Sequence, residues 1–226
     1  MNFHTLSPKL VLILGALLFP IGLGSNVSFF LSLAVKKRSL ANQNLGMILS
    51  YFFIAFLLHF TEYVKPFYFL WDCPWYFIIL AILMGALTLP LEYGIGVIIE
   101  RIITGKWVQG FQVHAVYSES NKLDGKDYLS VFLFVLAEEI LFRNALIPFL
   151  DVLGMGRVWI LFFASLVFVF NHVQFGWKTM LQKFASGLIY VGLFVYSGYC
   201  VFVPVIAHMC QNYLLLALSQ RRSHDG

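Results

Sequence analysis

Apolar residues come in long runs broken by short polar segments. A membrane-spanning helix needs about 20 mainly apolar residues. By that measure the chain predicts seven spans, at residues 10–35, 45–64, 75–100, 128–150, 157–173, 182–198 and 200–219. Several runs are short or contiguous, so their boundaries shift by a few residues and the pattern leaves room for an eighth element or a re-entrant segment. Only helices and closed barrels satisfy their backbone in hydrocarbon, and these runs lack the period-two alternation of barrel strands. The expected fold is all-α: a polytopic membrane protein of seven or eight transmembrane helices around a polar active-site cavity. No internal repeat or low-complexity tract divides the chain, so residues 1–226 read as one membrane domain. The first run is too long for a signal-peptide core and lacks a small-residue cleavage site after it, so it reads as the first span. Residues 101–127 are the longest polar segment, with Glu119, Asn121, Asp124, Gly125 and Asp127; surface loop and amphipathic piece are both open.

Composition agrees with this picture. Hydrophobic residues make up 60% of the chain and charged ones 12%, with a mean hydropathy of +0.83. Soluble domains sit near half apolar and a quarter charged, and a soluble chain of this size has no interior for that much apolar surface. Phe alone occurs 24 times, and it suits surfaces that face lipid. The net charge of +4 forms no basic stripe, so no nucleic-acid partner is expected. The basic residues act instead as topology signals. With Lys36, Lys37 and Arg38 placed in the cytoplasm, Arg101, Lys106, Lys122, Lys126, Lys178, Lys183, Arg221 and Arg222 fall on the same side, against Lys9, Lys65 and Arg157 outside. The N-terminus is then external and the C-terminus cytoplasmic. Cys73, Cys200 and Cys210 are odd in number and irregularly spaced, which argues against a disulfide framework or a zinc module. Cys210 reads as a small packed residue.

Against this apolar background, ionisable residues inside spans are functional candidates, because a charge at mid-bilayer costs several kcal/mol. The span 128–150 holds Glu138, Glu139 and Arg143. Glu139 and Arg143 are four apart, on one helix face and in the favourable order. Glu138 is turned about 100° away and needs another partner, water in a cavity or a side chain of another helix. The span 157–173 ends in Phe168-Val-Phe-Asn-His172, where Phe168 and His172 share a face and Asn171 reads equally as a helix-end group. The last span carries His208 and Asn212, again four apart. Taken singly, each has a bland reading: a structural ion pair, an interfacial histidine, an asparagine bridging helices. Together they lie on three helices able to converge on one polar pocket, where clustering lowers the cost of burying them.

At these residues the chain resembles the CPBP or Abi family of intramembrane proteases, which includes the Ras-converting CAAX endopeptidase. The family's three motifs stand here in order as Glu138-Glu139-x-x-x-Arg143, Phe168-x-x-x-His172 and His208-x-x-x-Asn212. The motif-bearing core covers residues 128–219; residues 1–100 match only in being apolar. One departure is Asn144, where many members carry Gly after the arginine. The resemblance implies a glutamate-dependent endopeptidase that uses no metal or other cofactor. Glu138 would activate water with help from His172. His208 and Asn212 would hold the oxyanion, and Glu139, Arg143 and Phe168 would support the site. It implies a multi-pass protein of a prokaryotic cell membrane, whose partner is a membrane-anchored or lipidated peptide or protein that reaches the site from the cytoplasmic half. The residues themselves allow these roles, since a carboxylate in a dry pocket is a stronger base than in water and preorganised donors there stabilise developing charge.

Four other readings compete. Two Glu and two His can ligate zinc, although no His-Glu-x-x-His occurs. Phe184-Ala185-Ser186-Gly187 resembles the rhomboid Gly-x-Ser-Gly with Phe in the first place, which would make Ser186 a nucleophile. Intramembrane Glu, Arg and His, with Glu92 near Pro90 in the third span, also suit a transporter or proton relay, without the internal repeat many transporters carry. The last is a non-catalytic binding or immunity protein on the same scaffold.

Overall fold

The structure, a computed structural model, describes residues 40–59, 73–107 and 125–222. The expected first span at 10–35 and most of the polar segment 101–127 lie outside the described residues. Among the described residues seven α-helices follow in order: α1 (Leu40–His59), α2 (Trp75–Thr104), α3 (Gly125–Glu139), α4 (Leu146–Val152), α5 (Arg157–Phe170), α6 (Trp177–Tyr196) and α7 (Phe202–Arg222). A π-helical segment, Ile140–Ala145, joins α3 to α4, and a 3₁₀ turn, Val173–Phe175, precedes α6. There is no strand among the described residues, so this part of the chain is all-α. Each apolar run from 45 onward lies largely in helix over its described residues; residues 60–64 of the second run lie outside them. The largest difference lies in the run 128–150, which is one continuous rod broken in its middle by the π segment. Such one-turn widenings concentrate at functional sites, and this one begins directly after Glu139.

Helix ends follow local chemistry. α2 begins after Pro74, whose fixed backbone leads into the first turn. It ends at Gly105, whose φ of +71° lets its N–H return to the Arg101 carbonyl at 3.0 Å, an exit that favours glycine.

Helices α3 and α7 are the centre of the bundle. α1 packs on α3, α3 on α7, α2 on both α6 and α7, and α5 on α6. The core between them holds Tyr51, Val135, Phe142, Phe149 and Phe194, all fully buried. A buried hydrogen bond from Asn44 Nδ2 to Ser130 Oγ, 3.0 Å, ties α1 to α3. The α2–α7 crossing is closer still. Gly85 of α2 faces the backbone of Ala207, where a Cβ would stand 2.2 Å from the carbonyl oxygen, and Ala81, one turn earlier, lies in the same buried cluster as Ala207. Small residues one turn apart allow backbones to approach this closely in membrane bundles. Cys210 Sγ packs beside the Ile82 carbonyl on the same crossing.

Among the described residues two helices are long and apolar enough to cross a membrane, Trp75–Thr104 and Phe202–Ser219; Asn44–Phe56 and Arg157–Phe170 are shorter apolar helices. The outer face of α2 exposes Leu83, Leu87, Ile98 and Ile102, a surface that hydrocarbon accommodates and water does not.

The α2–α7 contact yields a stability prediction. Gly85→Ala forces two backbones apart and should destabilise the detergent-solubilised protein by about 1–3 kcal/mol, read as a lower midpoint of thermal unfolding. An unchanged midpoint would show that these helices do not cross at Gly85.

Candidate active site

The site begins at the end of α3, where Glu138, Glu139 and Arg143 are 1%, 0% and 0% exposed. Three ionisable groups removed from solvent to this degree are tolerated only where partners meet them. Glu139 has two, one for each oxygen. Its Oε2 lies 3.1 Å from Arg143 Nε, and its Oε1 lies 2.8 Å from His208 Nδ1 on α7. The four-residue spacing read from the sequence thus closes as an ion pair even though the π segment starts between the two residues. The Arg143 guanidinium carbon lies over the Phe168 ring, 4.3 Å from its centroid, and 5.7 Å from that of Tyr190. Aromatic faces stabilise a desolvated cation. Its Nη1 and Nη2 have no hydrogen-bond partner among the described residues.

Glu138 is held by a different group. The chain leaves α5 after Phe170 in a tight turn, and Asn171 Nδ2 donates to Glu138 Oε1 at 3.1 Å and to the Tyr51 hydroxyl on α1. The second oxygen of Glu138, Oε2, faces His208 Nε2 at 3.9 Å. Asn171 therefore terminates α5 and also orients the carboxylate. Its Oδ1 has no partner among the described residues, capacity of the kind a bound water or peptide group fills.

The two imidazoles are each fixed through Nδ1. His172 Nδ1 lies 3.1 Å from the Phe168 carbonyl. A carbonyl only accepts, so Nδ1 carries the proton and Nε2 is left for other contacts. The His172 ring stands edge-on to Phe168 with centroids 4.8 Å apart. It does not hydrogen-bond Glu138 directly among the described residues. In His208, the Glu139 carboxylate at Nδ1 leaves Nε2 directed at Glu138. That ring stacks on Tyr190, centroids 5.0 Å apart and planes 23° off parallel, and meets Phe168 edge-on at 6.2 Å. Phe168 is thus the apolar hub of the site: Arg143 lies over it and the two imidazoles contact it.

Six of the seven residues singled out in the sequence, namely Glu138, Glu139, Arg143, Phe168, His172 and His208, lie in this cluster. Asn212 stands one turn beyond His208 on α7 and half-buried; its side chain hydrogen-bonds none of the others among the described residues. Sequence reasoning missed Tyr51, Tyr190 and Gln211 and left Asn171 as a helix-end group. Asn171 has a signal in its position beside His172; the tyrosines sit in apolar runs with nothing to distinguish them. Ser186 Oγ donates to the Lys183 carbonyl at 3.3 Å within α6 and forms no hydrogen bond with His208 among the described residues. Among the described residues no three His, Cys, Asp or Glu side chains are grouped to hold one metal ion.

Helices, an apolar outer face and a buried Glu–Arg–His cluster at the centre define a membrane-type helical domain built around a polar site. Residues 128–214 match the family model described as type II CAAX prenyl endopeptidase Rce1-like; this segment is a domain of that family, in agreement with the CPBP resemblance. The match spans less than half of the chain and takes in α3 through most of α7, hence every motif residue. At family level the match supports a CAAX-type protease, a membrane-integral hydrolase, for this segment. No curated protein and no solved structure matches the chain.

Arg143→Ala removes the cation and leaves Glu139 as a buried, half-paired charge. Breaking a buried pair in this way costs about 3–5 kcal/mol, so the variant should unfold at much lower temperature in detergent. Glu139→Gln/Arg143→Met, which removes both charges, should lie above Arg143→Ala. A double variant less stable than the single one would contradict the pairing.

Proposed function

We propose that the protein is an intramembrane endopeptidase that hydrolyses a peptide bond in a membrane-anchored or lipidated protein or peptide, with Glu138 activating the water and no metal taking part. The observation that supports this reading is the environment of Glu138: buried, steadied at one oxygen by Asn171, with the other oxygen turned toward His208 Nε2. In this reading the chain is polytopic, α1 to α7 supply the spans or parts of spans around the cavity, and the C-terminus is cytoplasmic. The family suggests a prenylated C-terminal segment as substrate, lying in the leaflet with its peptide at the mouth of the site.

The geometry supports a simple sequence of steps. A water between Glu138 and the Nε2 side of His172 gives its proton to Glu138 as its oxygen attacks the scissile carbonyl. When His208 carries a proton on both nitrogens, with Glu139 as counter-ion, its Nε2–H is offered to the developing oxyanion, and Asn212 adds its amide from the next turn of α7. Collapse of the tetrahedral intermediate passes the proton from Glu138 to the departing amine. Glu139 and Arg143 touch no substrate in this scheme; they hold the imidazole and balance its charge. Phe168 keeps the two imidazoles apart and excludes bulk water from between them.

The test is hydrolysis of a fluorogenic prenylated peptide by the purified protein. Glu138→Gln, nearly isosteric, should lower kcat by about 10³-fold or more while the protein stays monodisperse and folded. Ser186→Ala and treatment with a strong zinc chelator should leave the rate unchanged. Hydrolysis by Glu138→Gln at the wild-type rate would refute the mechanism, and loss of activity with the chelator would replace it with a metal-dependent one.

A further inference from the structure

A second set of polar groups, some buried and some half-buried, stands behind His208, and the motifs contain none of it. Tyr190, on α6, is fully buried with its ring nearly parallel to the His208 imidazole. Its hydroxyl donates to Gln211 Oε1 at 2.5 Å and lies 3.5 Å from Thr88 Oγ1 on α2. Thr88 is anchored in turn, donating to the Gly85 carbonyl at 2.6 Å. One turn further along α2, the Glu92 carboxylate takes Lys183 Nζ of α6 on both oxygens, at 3.0 and 2.9 Å. Gln182 Nε2 donates to the Glu92 carbonyl at 2.9 Å, and Ser186 and Gln211 are further polar neighbours of the carboxylate. An acid and a lysine inside apolar helices are expensive. The proposed mechanism uses neither.

What this set can do follows from how His208 is otherwise held. Its one hydrogen bond among the described residues, at Nδ1 to Glu139, holds a single edge of the ring and only resists small turns about Cβ–Cγ. Any larger turn swings Nε2 away from Glu138. An aromatic face stacked on the imidazole blocks the turn, provided the aromatic ring cannot itself rotate. Gln211 and Thr88 hold the Tyr190 hydroxyl, and the Glu92–Lys183 pair locks α2 to α6 beside them. We propose that Tyr190 is a positioning residue that sets the plane of the His208 imidazole, and that α2, through Thr88 and Glu92, is part of the functional unit although it lies outside the family-matched segment 128–214. The proposal rests on the peptidase reading for its kinetic consequences and on geometry alone for the orientation of His208.

The experiment uses the full chain in detergent with the fluorogenic prenylated peptide, and rates are taken per folded molecule. Tyr190→Leu removes the stacked face and should lower kcat about 100-fold with KM unchanged, the scale of loss expected from misplacing a reacting group by an ångström. Tyr190→Phe keeps the ring and loses its anchor, and should fall between wild type and Tyr190→Leu; it also carries the test should Tyr190→Leu fail to fold. Glu92→Gln should lower kcat in the same sense, and Glu92→Asp should recover part of it. In protein with ¹⁵N-labelled histidine, the His208 ring signals, assigned by their loss in His208→Gln, should move in both Tyr190 variants while the other histidine signals stay. Wild-type kcat per folded molecule in both Tyr190 variants, with His208 signals unmoved, overturns the proposal. Absence of peptide hydrolysis by the wild type would overturn the peptidase reading instead and leave the His208 signals to decide the positioning claim.

Discussion

The site depends on the Glu139 carboxylate, which has two oxygens and a different helical element on each. One oxygen meets Arg143 beyond the start of the π segment, and the other meets His208 on α7. A single buried charge thereby joins the end of α3, the widened turn after it and the centre of α7. Remove it and Arg143 is an unpaired cation in an apolar core, while His208 loses the contact that orients it. The rest of the site is arranged around this bridge. Phe168 and Tyr190 present aromatic faces to Arg143, and Glu138, next in the chain, is carried to the opposite side of the same imidazole.

This arrangement explains how a largely apolar chain tolerates so many buried polar groups. Each alone costs several kcal/mol in a medium without water, and most have a partner on another helix or across a turn, the buried Asn144 side chain being an exception among the described residues. Asn171 serves Glu138 and Tyr51 together; Tyr190 serves His208 and Gln211; Glu92 serves Lys183. The helices are consequently tied by polar contacts inside and by apolar packing around them, with Gly85 allowing the closest crossing. The atoms left without partners, among them Arg143 Nη1 and Nη2 and Asn171 Oδ1, lie in this same cluster, where a water or a peptide group has a use for them.

The helices and most of the site were legible in the sequence because both rest on local signals. Apolar run length gave α1, α2 and α5 to α7 within a few residues, and four-residue spacings gave the Glu139–Arg143 pair and the Phe168–His172 contact. The π segment was not legible, since widening one turn leaves the run apolar and changes no residue type. Nor was the direct contact of Glu139 with His208: sixty-nine positions separate them, and spacing says nothing over that distance. The sequence placed Glu139 with Arg143 alone, because a helix model knows only partners on its own face. Asn171 looked like a helix end, which it is, and its second task of holding Glu138 appears only when α1, α3 and α5 are assembled. Tyr51 and Tyr190 look like any aromatic residue of an apolar helix until their hydroxyls are seen to meet Asn171 and Gln211.

A double-mutant cycle on Glu139 and His208 tests the bridge most directly, using Glu139→Gln, His208→Gln and the pair together, each followed by thermal unfolding in detergent. The account predicts strong coupling: the two single variants each lose stability, and the double variant loses about 1–3 kcal/mol less than their sum, the range for residues in one polar network. Additivity to within about 0.5 kcal/mol, as for sites that do not touch, would contradict it.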